Sequence, residues 1–304
     1  MIRLEATFSP DTFQILTNDH IPQIRDFFSR YPQVHCDYNI ATLIPWQPIV
    51  EYSWRVLEGR LILYSNFFDY IYMPVGEILP GEILIEISQR FRQRGKKGRF
   101  ILVSEDHIQA NPGLTSWFEV VSDMDNADYI YDSQALVDLK GKKLQKKKNL
   151  INQFIQANPH VLTRPFQKED VFLCLELIKK WCKNRDCWDL ELQRELIALE
   201  RALLFANIIG IEGIIIQSEG IIEAFCLYNH QTSDMITVHF EKYNPELKGI
   251  SQYLNREMAR WASERGVKWI NREQDMGLEG LRQAKQSYSP HHQVITYQLH
   301  PIVS

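Results

Sequence analysis

Residues 268–285, KWINREQDMGLEGLRQAK, join a strand pattern to a helix pattern. The first six residues are predicted as a strand with a buried centre, and Gly277–Lys285 as a helix. Side chains alternate along a strand, so Asn271 and Glu273 share one face. Open α/β sheets bind ligands where polar strand ends precede a helix N-terminus, which makes this stretch a candidate site. Asp275 also fits the position of a helix cap. The candidate substrate-binding residues are Asn271, Arg272, Glu273, Asp275, Arg282 and Lys285.

The elements around this stretch follow one order through the second half of the chain. They are a strand at His160–Arg164, helices at Lys168–Lys183 and about Asp189–Phe205, strands at 208–211, 213–217, 221–228 and 235–241, a helix at about Ile250–Arg265 and a strand at Val294–Leu299. This order is that of the Gcn5-related N-acyltransferase fold, and the first half is a degenerate version of it. We therefore expect an α/β protein with mixed sheets and two tandem acyltransferase-like domains, at 1–138 and 159–304, joined by a basic helix at 139–158.

Composition limits the class of protein. The chain has 304 residues, 45% of them hydrophobic and 24% charged, which excludes disordered, collagen-like and coiled-coil proteins. No run approaches the roughly 18 apolar residues of a membrane span, and the N-terminus lacks a signal-peptide pattern. The five cysteines are odd in number and irregularly spaced, which predicts reduced thiols without a disulfide framework. We expect a cytoplasmic protein with no metal site and no tightly bound cofactor.

The strand at 235–241 carries a candidate catalytic pair. His239 and Glu241 share one face, where they offer a general base or a proton relay. The alternative is a polar face that is hydrogen-bonded to its neighbours.

The loop before the helix at Ile250 approximates a phosphate-binding loop, Q/R-x-x-G-x-G/A, whose backbone N–H groups cradle a pyrophosphate. Gly249 matches, Ser251 is a near substitute, and Lys248 adds a positive charge. Glu246 has the wrong charge for the pattern, which weakens a coenzyme A assignment. An ordinary loop that ends in glycine before a helix explains the same residues.

Two blocks are basic although the net charge is −4. Residues 87–104 hold six cations and residues 139–168 hold eight, with no acidic residue in either block. In the second block the lysines crowd the first turns of a helix predicted at Gly141–Ala157, where the helix dipole disfavours positive charge. This placement suggests an RNA or other anionic ligand, and a solvated helix face is the alternative. The candidate anion-binding residues are Lys142, Lys143, Lys146, Lys147 and Lys148.

Several long segments resemble one family. Residues 129–132 (YIYD), 139–149 (LKGKKLQKKKN), 239–242 (HFEK) and 271–288 (NREQDMGLEGLRQAKQSY) are similar to soluble relatives of the phosphatidylglycerol lysyltransferase C-terminal domain. The family is similar in fold to tandem acyltransferase-like proteins, including Fem-type aminoacyltransferases. The resemblance implies transfer of an aminoacyl group from aminoacyl-tRNA to an amine or hydroxyl of a small molecule, peptide or lipid headgroup. By analogy with acyltransferases, Tyr288 would be the general acid.

The leading prediction is therefore an acyltransferase with Glu241 or His239 as base and with aminoacyl-tRNA as donor. A coenzyme A-dependent N-acetyltransferase is the second hypothesis. A non-catalytic binding protein on a degenerate scaffold is the third. An enzyme should place His239, Glu241, Asn271 and Tyr288 around one cleft, whereas a binding protein need not.

Overall fold

The computed structural model describes residues 4–5, 8–183 and 190–302, with side chains of 181–183 left out. Its helices are α1 Ile21–Arg30, α2 Ile40–Val50, α3 Gly81–Arg92, α4 Glu105–Ala110, α5 Ser133–Asp138, α6 Gln145–Ala157, α7 Val171–Lys183, α8 Leu190–Leu204, α9 Ala206–Ile209, α10 Ile250–Glu264 and α11 Glu279–Gln286. Its strands are β1 Gln14–Ile15, β2 Tyr52–Leu57, β3 Arg60–Ser65, β4 Tyr70–Tyr72, β5 Phe100–Val103, β6 Phe118–Asp132, β7 Leu162–Pro165, β8 Glu212–Ser218, β9 Ile221–Thr232, β10 Met235–Tyr243, β11 Trp269–Asn271 and β12 His292–Pro301. In these described ranges no helix is both long and apolar enough to cross a membrane.

The chain divides into two compact units, residues 1–127 with 294–304 and residues 128–293. The predicted division was 1–138, a connecting helix at 139–158 and 159–304, so the two divisions differ at 128–158, which belongs to the second unit, and at the closing strand. That strand, β12, lies in the first unit because it pairs with β5 through Tyr297 and Leu299.

The first unit is a mixed sheet in the order β1-β2-β3-β4-β5-β12, with the beginning of β6 beside β12. Its pairs are antiparallel except for β4 and β5, which are parallel. The connection between those two strands contains α3, whose Leu84, Ile87 and Phe91 are buried in the core of this unit.

The second unit repeats this plan. Its strands run in the order β7-β8-β9-β10-β11, with the end of β6 beside β11, and only β10 and β11 are parallel. The connection between this parallel pair contains α10, and α11 follows β11. The apolar face of α10 packs on the sheet through Leu254, Met258 and Ala262, all of which are buried.

Several predicted elements needed correction. The segment at 208–211, predicted as a strand, begins inside the short helix α9, and the next strand, β8, starts only at Glu212. The helix predicted at Gly141–Ala157, called here the lysine helix, is α6, and it starts at Gln145 because Lys142–Leu144 forms a 3₁₀ turn. Leu144, Ile151 and Phe154 are its buried side chains, while Ile155 is exposed. Cys36, Cys174 and Cys226 are buried, whereas Asp189, Cys187 and the side chain of Cys182 lie outside the described part.

Candidate active site

The whole of β11 pairs with only the first residues of β10. Met235–Thr237 lies beside Trp269–Asn271, and β10 continues to Tyr243 after β11 has ended. The space beyond the last pair is a cleft of about 230 Å³ in the second unit. It is lined by Glu195, Val238, His239, Phe240, Glu241, Arg272, Glu273, Leu281, Ala284, Lys285 and Tyr288. The sequence prediction of a site at these strand ends therefore coincides with a real concavity.

His239 lies at an irregularity in β10. The register against β9 shifts between Val238 and Phe240, so His239 is the extra residue of a β-bulge. Bulges re-aim side chains beside active sites. The ring is buried, with Nδ1 2.9 Å from Glu273 Oε1 and Nε2 2.9 Å from Asn229 Oδ1. Both ring nitrogens are therefore engaged, which makes His239 an orienting group for Glu273 rather than the free base of the prediction.

Glu273 reaches His239 through an uncommon backbone conformation. Its φ is +57°, in the left-handed region that non-glycine residues adopt only at a cost. The Asn271 side chain supports the turn, since its Oδ1 accepts from the Glu273 N–H at 2.8 Å and its amide donates to Asp128 at 2.6 Å. Asn271 is completely buried and does not line the cleft. It therefore shapes the loop, whereas the prediction gave it a substrate contact.

Glu241 and Arg272 form an ion pair inside the cleft. The guanidinium also lies 5.3 Å from the Tyr288 ring centroid and 5.9 Å from that of Tyr131. Burial lowers the pKa of Arg272, but the Glu241 carboxylate and the two phenols outweigh it and raise the pKa above its ordinary value. Arg272 thus stays charged, and it holds Glu241 at the wall of the cleft.

Tyr288 connects the cleft with the lysine helix. Burial raises its pKa to about 12, although Arg272 opposes the shift. The phenol is therefore protonated at neutral pH and is suited to donate a proton or a hydrogen bond. Lys147 Nζ lies 4.1 Å from the ring centroid and donates to Ser287 Oγ at 2.8 Å. Burial and the neighbouring charge of Arg272 lower the pKa of Lys147.

The remaining residues of the predicted substrate set are held by the protein itself. The Lys285 ammonium donates to the backbone carbonyl of Arg272, although this residue also lines the cleft. Asp275 is buried, accepts from Arg282 Nε at 2.9 Å and from the Tyr129 hydroxyl at 2.6 Å, and accepts from the Gly277 N–H at 2.9 Å. Asp275 and Arg282 do not line the cleft, and their ion pair connects α11 with the turn that precedes it. The N-cap of α11 is Leu278, so the prediction of Asp275 as the helix cap is wrong.

The Asp275–Arg282 pair gives a pH-dependent prediction. Hydrogen bonding from Arg282, together with Tyr129 and the Gly277 N–H, outweighs burial and lowers the pKa of Asp275 to about 2. A depressed carboxyl pKa stabilises the fold above the unfolded pKa of about 3.9, and this stability is lost as the pH falls towards 2. We expect Asp275→Asn to be destabilised by about 1–2 kcal/mol more at pH 6 than at pH 2.5, measured by urea unfolding. An equal loss of stability at both pH values would show that the Asp275–Arg282 ion pair does not stabilise the fold.

The predicted phosphate loop lies outside the cleft. Gly249 has φ +91°, and a Cβ at this position would lie 2.4 Å from the Leu150 carbonyl oxygen of α6. The glycine is thus required because the loop packs closely against the lysine helix, which is the ordinary structural explanation. Lys248 is exposed and Ser251 is half-buried, and neither lines the cleft.

Substitution of this glycine should be costly. Gly249→Ala combines left-handed strain with a backbone overlap, and we expect a loss of roughly 2–4 kcal/mol in the free energy of unfolding. Gly266→Ala is the matched control, because Gly266 has φ +76° with open space around it. This variant should lose only about 1 kcal/mol in the free energy of unfolding. Equal losses in urea unfolding would show that the contact with Leu150 is unimportant.

The lysines of the basic helix differ in their surroundings. Lys142 and Lys143 lie in the 3₁₀ turn, Lys146 and Lys148 lie in the first turn of α6, and all four are exposed. Lys147 is half-buried because it contacts Ser287 and Tyr288. The four exposed lysines form a surface, called here the basic ridge, that Lys147 connects with the cleft.

Sequence reasoning missed two residues of the site. Glu195 of α8 lines the cleft and pairs with the buried Lys242 at 2.7 Å. Asn229 of β9 holds His239 from the neighbouring strand. No spacing rule connects these residues with β10, since both contacts depend on how α8 and β9 pack in space.

The sequence profile of the family described as phosphatidylglycerol lysyltransferase, C-terminal, matches residues 28–299. The chain belongs to this family. The match covers most of the described residues and includes the segments 129–132, 139–149, 239–242 and 271–288, so the resemblance to this family is confirmed. A search of curated proteins gave no match.

Solved structures of similar proteins agree with the family. A conserved protein of unknown function from Bacteroides thetaiotaomicron is 27% identical over 96% of this chain and 99% of its own, with a TM-score of 0.87. L-PGS from Bacillus licheniformis is 14% identical over 94% of this chain and 93% of its own, with a TM-score of 0.65. FemX is 9% identical over 94% of this chain and 96% of its own, with a TM-score of 0.58. The last two comparisons show the fold, and they confirm the expected mixed α/β architecture.

Proposed function

We propose that the second unit transfers an aminoacyl group from aminoacyl-tRNA to an amine or hydroxyl acceptor. The observation that carries this proposal is the cleft itself, where Glu241, Arg272 and Tyr288 meet at the end of the parallel strand pair. Membership of the phosphatidylglycerol lysyltransferase C-terminal family supports transferase chemistry.

The side chains suit the steps of acyl transfer. The acceptor nitrogen or oxygen attacks the ester carbonyl, and Glu241 takes the proton that the acceptor loses. Positive charge from Arg272 stabilises the negative oxygen of the tetrahedral intermediate. Its collapse breaks the ester C–O bond, and Tyr288 donates a proton to the departing ribose oxygen, which becomes a hydroxyl. The proton then returns to Tyr288 from Glu241, directly or through water, which restores both groups.

The basic ridge is the feature that favours RNA as the donor. Its four exposed lysines carry no ion pair to an acidic side chain among the described residues, and they lie beside the lysine that contacts Tyr288. A ridge of cations at one-turn spacing can follow a phosphate backbone. A donor held there would present its acylated end near Tyr288.

Observations at the cleft and at the loop before α10 bear on the two alternative functions. A coenzyme A-dependent N-acetyltransferase needs a pyrophosphate loop, yet Gly249 is packed against Leu150 and Glu246 has the wrong charge. A non-catalytic binding protein is favoured by the engaged groups, because Glu241 is paired with Arg272 and both nitrogens of His239 have partners.

Binding titrations distinguish these hypotheses. The purified chain is titrated with tRNA charged with a mixture of amino acids, with uncharged tRNA and with acetyl-CoA, and its melting temperature is followed. We expect charged tRNA to stabilise the chain and acetyl-CoA to leave it unchanged. Stabilisation by acetyl-CoA alone would reverse the order of the two enzyme hypotheses, and no response to any of the three would favour the non-catalytic one.

A further inference from the structure

A second cavity lies on the other side of Tyr288. It measures about 510 Å³ and is formed within the second unit by α5, the residues that follow it and the turn after α11. Tyr288 lines both this cavity and the cleft. A ligand in the second cavity would thus have one end next to the proposed general acid.

We infer that this cavity binds the terminal nucleotide of the RNA donor, with its ribose towards Tyr288 and its phosphate towards Lys143. The inference rests on the proposed function for the orientation, and on the cavity for the ligand class. A volume of about 510 Å³ falls within the usual range of small-molecule sites, roughly 300–1,000 Å³.

The walls provide the groups that a nucleotide needs. Ala135 and Leu144 offer apolar surface for the base, and Gln134 and Asp132 offer hydrogen-bonding groups for the base or the ribose. Lys143 is an exposed cation at the edge, and it belongs to the basic ridge that would hold the preceding phosphates.

Acidic groups at this edge do not prevent phosphate binding. Asp138 pairs with Lys140 at 2.8 Å and accepts from Gln134 at 2.8 Å. Asp132 accepts from the Ala135 N–H at the start of α5. Both carboxylates are therefore compensated by protein donors, and Lys143 remains next to the cavity as the cation for phosphate.

The same chemistry could come from coenzyme A, which also contains an adenosine nucleotide. The probes are therefore AMP, the 5′-phosphorylated dinucleotide of cytidine and adenosine (pCpA), which has two phosphates, and coenzyme A, each titrated against the full chain by calorimetry and by ligand-observed NMR. We expect AMP to bind, and the dinucleotide to bind at least tenfold more tightly because its extra phosphate reaches the ridge. Tighter binding of coenzyme A than of the dinucleotide would overturn the RNA assignment.

A cavity-filling variant tests the location. Ala135 is exposed on α5 and lines the cavity, so Ala135→Phe should fill it without disturbing the core. We expect at least a tenfold loss of AMP affinity. Ala157→Phe is the matched control, since Ala157 is exposed at the end of α6 and does not line the cavity. Lys143→Gln should weaken the binding of AMP and leave the binding of adenosine, which has no phosphate, unchanged.

The outcomes separate this inference from the proposed function. If AMP binds and Ala135→Phe prevents it, the nucleotide cavity stands even where no transfer is observed. If the chain transfers aminoacyl groups and Ala135→Phe is as active and binds AMP as well as the parent, the cavity assignment is wrong while the function stands. Failure of AMP and the dinucleotide to bind at millimolar concentration also overturns the inference.

Discussion

Glu241→Gln should lower the rate of aminoacyl transfer by about 10²–10⁴-fold, because the amide cannot accept the proton that the acceptor loses. The binding of charged tRNA should stay within about threefold of the parent, since Glu241 lies in the cleft and not on the basic ridge. The measurement is single-turnover transfer from labelled aminoacyl-tRNA.

Loss of the Glu241 charge also leaves Arg272 without its ion-pair partner, and an uncompensated buried charge can lower the free energy of unfolding by several kcal/mol. Glu241→Asp addresses this, because it retains the charge and withdraws the carboxylate by one methylene. Glu195→Gln is the matched control, since Glu195 is a carboxylate of the same cleft that is paired with Lys242. If Glu241→Gln stays folded and keeps the parent rate, Glu241 is not the base.

Removal of the basic ridge should have the largest effect on RNA affinity. If all five lysines from Lys142 to Lys148 contact phosphates, the log–log slope of affinity against salt should be roughly −3.5 to −4.5. Changing Lys142, Lys143, Lys146 and Lys148 to Gln should flatten this slope by about three units. It should also cost about 10²–10³-fold in affinity at low salt. Lys147 is left in place because it contacts Tyr288.

A charge-matched control separates the ridge from net charge. The other basic block lies in the first unit, where Arg92, Arg94, Lys96 and Lys97 can be changed to Gln. This variant loses four positive charges, the same number as the ridge variant. This variant should bind charged tRNA with nearly the same affinity as the parent and with nearly the same dependence of affinity on salt. Equal losses in the two variants, or a ridge variant that binds like the parent, would remove the ridge from the RNA site. Folding should change little, because exposed charges near a helix start contribute little stability.

The sequence predicted the central residues of the cleft because local rules determine them. His239 and Glu241 are two apart on one strand, Arg272 and Glu273 follow a strand that is parallel to it, and Tyr288 follows the next helix. Parallel strands bring such ends to the same edge of a sheet, so chain order predicts the proximity of the strand residues. Tyr288 was assigned by analogy with acyltransferases.

Other features depend on packing or on backbone conformations that no pattern shows. The left-handed Glu273 ends β11 two residues earlier than predicted, and it turns the carboxylate towards His239. The helix α2 was missed because Pro45 and Pro48 lie inside it and its apolar residues surround it without a polar face. Asp275 and Arg282 were placed in the substrate site because sequence cannot show that two polar side chains satisfy each other.

The most direct test of the central claim is transfer itself. The purified chain is incubated with tRNA carrying isotope-labelled amino acids and, separately, with free amino acids, a peptide amine and phosphatidylglycerol vesicles as acceptors. Mass spectrometry then follows the label. The account predicts that the labelled aminoacyl group moves to at least one acceptor with the parent chain and does so at least a hundredfold more slowly with Glu241→Gln. Label that leaves the tRNA only at the spontaneous rate, with identical results for the parent and the variant, would contradict it.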